Sequence, residues 1–197
     1  MINPYTPSSI AAMLDSYQYL VIIDIEHTCT ADGSIVADER EIIEIGAVIV
    51  DSQNFAPVAT FGRFVKPVQH PILDDFCVTL TGIQRADVAS GEGFKEVLSA
   101  FNQWRKTYRD YLLCSWGSYD QVQLDLDCRY YALAPISAEP FFNLKKAFAK
   151  VQRLKSQVGM KRAMAHVGLA QQGAHHRALS DAQNIARLLP FIFLKDK

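Results

Sequence analysis

Residues Tyr19 to Thr30 have the sequence Tyr-Leu-Val-Ile-Ile-Asp-Ile-Glu-His-Thr-Cys-Thr. Its apolar, β-branched run predicts a strand that is buried on both faces. Asp24 and Glu26 stand near its end, two residues apart, so both carboxylates project from the same face. Burying such charges is costly unless a cation or strong donors compensate them. Two interpretations follow: a polar strand end that emerges into a loop, or a carboxylate pair that binds a hard cation such as Mg²⁺.

The composition predicts one domain over residues 1–197. A chain of 197 residues with 49% hydrophobic residues can bury a sizeable core. No basic region precedes an apolar run at the N-terminus, and the run from Tyr19 to Ile25 is too short to cross a bilayer, so we expect no membrane partner. The four cysteines form no Cys-x-x-Cys pair. We expect reduced thiols in a cytoplasmic protein, with disulfides as the alternative.

The charge of the chain is divided unevenly. Residues 1–140 carry 9 basic and 19 acidic residues, whereas residues 141–197 carry 11 basic and 2 acidic ones. The segment from Lys145 to Arg162 contributes seven cations: Lys145, Lys146, Lys150, Arg153, Lys155, Lys161 and Arg162. Such asymmetry indicates a polyanionic partner, and the alternative is a solvated helix face that pairs with acids elsewhere.

The order of the predicted elements indicates an α/β fold. Three strands, at about Tyr19 to Glu26, Ile42 to Val50 and Thr60 to Val65, are joined by short connections and predict an antiparallel meander. Later elements include strands at Tyr111 to Ser115 and Phe141 to Asn143, a basic helix at Leu144 to Lys155 and a last helix at about Arg177 to Leu189. This order predicts a mixed sheet, antiparallel meander plus parallel strands, flanked by helices.

Further acids stand where strand–helix units begin. Asp120 follows a short strand and Asp181 lies in the first turn of the last helix, although each could simply complement a helix dipole. His176 precedes Asp181 by five residues and titrates near neutrality. Four carboxylates with one imidazole match the requirements of two-metal phosphodiester hydrolysis. Glu44 interrupts an apolar run, either as a satisfied buried acid or as an edge-strand charge, and is not assigned to this site.

Several motifs, in this order and spacing, resemble the DEDDh 3′–5′ exonucleases of the RNase H-like superfamily. Those of the subgroup with histone-mRNA and enhanced-RNA-interference exonucleases are the most similar. The matching segments are Asp24-Ile25-Glu26-His27-Thr28-Cys29, Glu41-Ile42-Ile43-Glu44-Ile45-Gly46-Ala47, Leu80-Thr81-Gly82-Ile83, Trp116-Gly117-Ser118-Tyr119-Asp120 and His176-Arg177-Ala178-Leu179-Ser180-Asp181-Ala182-Gln183-Asn184-Ile185-Ala186. The resemblance spans about Leu20 to Leu189.

The resemblance implies a role for each matching residue. It implies that two Mg²⁺ or Mn²⁺ ions are held by the four acids Asp24, Glu26, Asp120 and Asp181, and that His176 rather than His175 is the general base. It also implies contacts with the terminal nucleotide by Thr28, Leu80, Thr81, Gly82, Ile83 and Tyr119. Tyr119 stands where the subgroup often has Trp, as a base-stacking residue.

The sequence therefore predicts a cytoplasmic 3′–5′ exonuclease acting on single-stranded 3′ ends, with RNA favoured over DNA. The basic segment Lys145 to Arg162 is our hypothesis for the path of the upstream strand. Two alternatives stay open. One is a DNA-directed or proofreading-type exonuclease, and the other is a non-catalytic nucleic-acid-binding module on the same fold.

Overall fold

A computed structural model describes residues 5–193 of the chain. Its centre is one five-stranded sheet with the strand order β3-β2-β1-β4-β5. The strands are β1 (Tyr19–His27), β2 (Ile42–Asp51), β3 (Pro57–Phe64), β4 (Tyr111–Ser115) and β5 (Phe141–Asn143). β1 to β3 pair antiparallel, whereas β4 and β5 extend the sheet in parallel from β1. The predicted mixed sheet is confirmed.

Helices cover both faces of this sheet. They are α1 (Pro7–Leu14), α2 (Asp75–Thr81), α3 (Arg85–Ala89), α4 (Phe94–Lys106), α5 (Tyr119–Tyr130), α6 (Leu144–Val151), α7 (Met160–His166), α8 (Ala178–Ala186) and α9 (Leu189–Ile192). One core joins α4 and α5 to the sheet, and the other joins α1 and α6 to α9 to its opposite face. Among residues 5–193, no helix combines the length and the apolar character that a bilayer crossing requires.

β1 is the central strand because its side chains feed both cores. Val21 and Ile23 pack into the core with α4 and α5, while Leu20 and Ile22 pack into the other. The alternation is the two-residue period that the sequence shows. Asp24 and Glu26 continue the row begun by Leu20 and Ile22, so they project towards the face that α8 covers.

Two predicted helices end earlier in the structure. The basic helix stops at Val151 instead of Lys155, because Arg153 adopts a left-handed conformation with φ 53° that a helix cannot contain. The last predicted helix divides at Ala186, and Pro190 lies inside the short α9, where the first turn of a helix tolerates proline. The third strand begins at Pro57 rather than Thr60 and ends one residue early.

Candidate active site

Three of the four predicted metal ligands converge at one end of β1. Carboxylate oxygens of Asp24, Glu26 and Asp181 all lie within 4.8 Å of one another. β1 supplies the first two acids from one face, and the first turn of α8 brings the third across the sheet. Oxygen ligands at this spacing suit a divalent hard cation, so the donor set fits Mg²⁺ or Mn²⁺.

A glycine on β2 lets α8 approach this closely. Gly46 pairs directly with Asp24 in the sheet register. A Cβ at Gly46 would lie 2.0 Å from the backbone nitrogen of Leu179 and 2.1 Å from the carbonyl carbon of Ala178. The helix backbone therefore rests on bare sheet backbone beside Asp24, and this contact places Asp181 over the acids of β1.

Glu44 fixes the start of the same helix. Its carboxylate accepts hydrogen bonds from Nε and Nη2 of Arg177, both at 3.1 Å, and from the backbone N–H of Ala178 at 3.0 Å. The last bond satisfies one of the free amides at the N-terminus of α8. Glu44 is thus a satisfied buried acid, the first of the two sequence interpretations, and not an edge-strand charge.

The clustered acids perturb one another strongly. Burial, followed by the charge of Asp120, raises the pKa of Asp24 well above its ordinary value. Burial and then the charge of Asp181 raise the pKa of Glu26 to about 8. Carboxylates with raised pKa values in contact with one another are short of positive charge, which a bound divalent cation would supply.

Asp120 lies beside this group, although it falls outside the set of three oxygens within 4.8 Å. It is buried in the first turn of α5, and its charge contributes to the raised pKa values of both β1 acids. Burial raises its own pKa to about 6, against hydrogen bonds that include the Ser115 side chain and the backbone of Ile25. The nearby cation of Lys145 also lowers this pKa, so the basic segment begins at the site.

Two histidines adjoin Asp181. Nδ1 of His175 lies 3.1 Å from Oδ2 of Asp181, and the backbone N–H of His176 donates to the same oxygen at 3.0 Å. The two rings stack with centroids 3.9 Å apart. His176 has a left-handed backbone with φ 58°, and burial lowers its pKa. A neutral imidazole at this position can accept a proton from water.

Tyr119 forms part of the rim of the site and is 42% exposed. Its hydroxyl accepts a hydrogen bond from Nη1 of Arg40 at 3.2 Å and lies 3.3 Å from Oε1 of Gln123. The His27 ring packs beside it, with centroids 5.3 Å apart. These contacts fix the tyrosine ring and leave part of it open to solvent.

The remaining predicted substrate contacts divide into supporting and exposed groups. Thr28 is 1% exposed, and its hydroxyl accepts the N–H of Glu41 at 3.0 Å. Thr81 and Ile83 are buried, and the Thr81 hydroxyl accepts the Ile83 N–H. Leu80, on α2, and Gly82, the left-handed cap that ends α2, face solvent.

Sequence reasoning missed Arg40, Lys145 and the contact between His175 and Asp181. Arg40 precedes the strand motif, and nothing in its local pattern indicates an approach to Tyr119, 79 residues away. Lys145 was included only as one cation of the basic segment. His175 could have been found, because its neighbour was already assigned to the site.

Comparisons with known proteins identify the family of the chain. The profile of the RNase_T family, described as exonuclease, matches residues 21–189. Human ERI1 exoribonuclease 2 is 31% identical over 91% of this chain, and mouse 3′-5′ exoribonuclease 1 is 31% identical over 87%. The chain spans 29% and 52% of the lengths of these two curated relatives.

Solved structures extend the agreement to the whole fold. The nuclease domain of 3′hExo, a DEDDh family member bound to rAMP, superposes with a TM-score of 0.83 at 30% identity, covering 91% of this chain and 93% of that one. A 3′-exonuclease that recognises the histone mRNA stem-loop gives 0.83 at 28% identity, covering 90% of this chain and 64% of that one. The fold is therefore the RNase H-like one that the motifs predicted. The chain belongs to the RNase_T exonuclease family.

Proposed function

We propose that this chain is a metal-dependent 3′–5′ exonuclease that removes mononucleotides from single-stranded ends, with RNA favoured. The observation that carries the proposal is the convergence of Asp24, Glu26 and Asp181 within 4.8 Å, with Asp120 beside them. The full set of acids argues against a non-catalytic binding module on this fold.

The four acids would hold two Mg²⁺ or Mn²⁺ ions. When bound, such ions polarise the scissile phosphate and stabilise the attacking and leaving oxygens. The protein holds the acids in fixed positions, because β1 is paired with β2 and β4 and α8 packs directly on Gly46. His176 accepts the proton of the attacking water as general base, since its lowered pKa keeps the imidazole neutral near pH 7.

The rim is suited to a terminal nucleotide. Tyr119 offers a partly open aromatic ring for base stacking, and Leu80 offers an exposed apolar side chain on α2. Three further residues are buried and support these groups: Thr28, Thr81 and Ile83. Gly82 has no side chain, so the backbone at the end of α2 is accessible. We assign all six to the substrate site, directly or as its support.

The basic segment Lys145 to Arg162 provides a path for the upstream phosphates. It runs from α6 to α7, beginning beside Asp120, and six of its seven cations are exposed. Within residues 5–193, none of the seven forms an ion pair with an acid. This arrangement favours a polyanionic partner over a self-paired surface.

RNA is favoured because the two curated relatives, each 31% identical to this chain, are named exoribonucleases. The DEDDh nuclease domain, 30% identical, is likewise bound to a ribonucleotide, rAMP. A DNA-directed enzyme is the second candidate, since single-stranded DNA offers the same phosphates and bases. A cytoplasmic location is proposed with it, supported by four cysteines that are free in the structure.

The test uses RNA and DNA oligonucleotides of one sequence, labelled at the 5′ end, with Mg²⁺, Mn²⁺ or EDTA. We expect a ladder shortening from the 3′ end, faster on RNA, that EDTA abolishes. Asp24→Asn should remove the activity while preserving the circular dichroism spectrum. Activity in EDTA, or in this variant, would refute the metal mechanism, and faster DNA cleavage would favour the second candidate.

A matched pair of substitutions separates the two histidines. His176→Ala should lower kcat by about 100-fold or more, the usual contribution of a general base. His175→Ala should have a smaller effect, because it removes a hydrogen bond to Asp181 without removing the proton acceptor. The opposite ranking would assign the base to His175.

A further inference from the structure

Two thiols lie side by side at the edge of the site. Cys29 follows β1, three residues after Glu26, and Cys77 lies in the middle of α2. Cys29 packs against the small buried cluster that contains Cys77, where the two thiols interact. The Cys77 thiol also donates to the carbonyl oxygen of His27, two residues before Cys29, at 3.7 Å. The other two cysteines, Cys114 and Cys128, lie in the two large cores on either side of the sheet.

The two sulfurs have unequal environments. Cys29 is partly exposed, whereas Cys77 is fully buried in a small apolar cluster. Hydrogen bonds from the side chain and backbone of Cys29 lower the pKa of Cys77 to about 7, while the same thiol–thiol bond raises the pKa of Cys29. These directions keep the proton on Cys29 and place the thiolate charge on Cys77, which can then accept the Cys29 proton as Cys29 reacts.

We propose that Cys29 and Cys77 form an oxidative modification site, which a small oxidant such as hydrogen peroxide closes into a reversible disulfide. The Cys29 proton moves to Cys77, and the Cys29 thiolate attacks peroxide, which breaks the O–O bond and gives a sulfenic acid and hydroxide. Cys77, once deprotonated by that hydroxide, attacks the Cys29 sulfur and expels a second hydroxide, which is protonated by solvent. In sum, two thiols and one peroxide give one disulfide and two waters.

The disulfide would affect the substrate-binding residues of the site by displacing α2. A disulfide requires the sulfurs to approach to about 2.05 Å, closer than any hydrogen-bonded pair. Cys29 lies two residues beyond β1, which is held by a strand on each side, so we expect most of the movement in α2. α2 carries Leu80 and ends at Thr81 and Gly82. This effect on activity rests on the proposed function. We expect the oxidised protein to have a severalfold higher KM for a substrate with a free 3′ end, and dithiothreitol to restore the original KM.

The test is mass spectrometry, which does not depend on nuclease activity. The full chain is treated with equimolar hydrogen peroxide, alkylated with N-ethylmaleimide and digested without reduction. We expect a peptide pair linked through Cys29 and Cys77, lost after dithiothreitol. Cys29→Ser, at a partly exposed position, should abolish the link and the KM change, whereas Cys128→Ala should retain both.

Three results would overturn the site: links that involve Cys114 or Cys128, links only between chains, or overoxidised Cys29 without any link. Formation of the expected link with an unchanged KM would overturn only the effect on substrate binding. If no nuclease activity is found but the link forms, the modification site stands and the proposed function fails. The two proposals are therefore separable.

Discussion

Replacing Gly46 with alanine should disable the site without touching any predicted catalytic residue. The new Cβ would lie 2.0 Å from the Leu179 nitrogen, where ordinary contact begins at 3.4 Å, so α8 would have to retreat by about 1.4 Å. Because both contacting groups are backbone, no rotamer change relieves the overlap. Overpacking of this kind costs about 3 kcal/mol of unfolding free energy, or a melting temperature lower by about 6–12 °C for a chain of this size.

The displaced helix carries Asp181. A misplacement of about 1 Å in a catalytic constellation reduces the rate by about 100-fold. We therefore expect Gly46→Ala to lower kcat by at least that factor, measured on a 5′-labelled RNA oligonucleotide with saturating Mg²⁺. Circular dichroism at the assay temperature would show that the variant is folded.

The control lies directly across the sheet. Gly62 on β3 pairs with Gly46, and a Cβ there would lie 3.2 Å from Cδ2 of Leu179, the end of a flexible side chain. Gly62→Ala should change the melting temperature by no more than about 2 °C and leave kcat near the wild-type value. If Gly46→Ala gives the same melting temperature and kcat as this control, the proposed close packing of α8 on Gly46 is wrong.

Three further substitutions test other contacts. Glu139→Gln leaves the buried guanidinium of Arg105 without its carboxylate and should lower the unfolding free energy by about 3 kcal/mol in urea titrations; no loss would refute a stabilising pair. Asp127 has a pKa raised by burial to about 7, so the folded state keeps a proton that the unfolded state loses. Wild-type stability should therefore fall between about pH 4 and pH 7, by up to about 1.4 kcal/mol per pH unit from this group, and Asp127→Asn should flatten that slope in thermal melts. Arg40→Met removes the hydrogen bond from Arg40 to the Tyr119 hydroxyl and should raise KM severalfold with little change in kcat, and in a Tyr119→Phe background the same change should have less effect.

The parts of the fold that local pattern controls were predicted well. β1 and its two acids follow from alternation along one strand, and the strands Tyr111–Ser115 and Phe141–Asn143 were placed to the residue. The premature end of the basic helix was missed because Arg153 adopts its left-handed conformation without a glycine or asparagine to signal it.

The parts of the site that depend on distant packing could not be predicted from the residues alone. The bidentate pair between Glu44 and Arg177 joins positions 133 apart in the sequence, and neither residue has a local feature that identifies the other. The same holds for the contact of Gly46 with α8: a glycine in a strand indicates a close approach, but not which element approaches. The family resemblance supplied the joint assignment of the acids, and the geometry shows what holds them together.

The origins of the clustered acids also bear on how the chain folds. Asp24 comes from β1 and Asp181 from α8, so the site joins residues that are 157 positions apart in the sequence. Closing so long a loop is slow relative to local contacts, and it must follow the synthesis of every segment up to α8. A nascent chain that is still missing α8 can form the meander but holds only three of the four acids. We therefore expect nuclease activity to appear in a single late step of folding, when α8 docks on the sheet, and not to increase gradually as the strands pair.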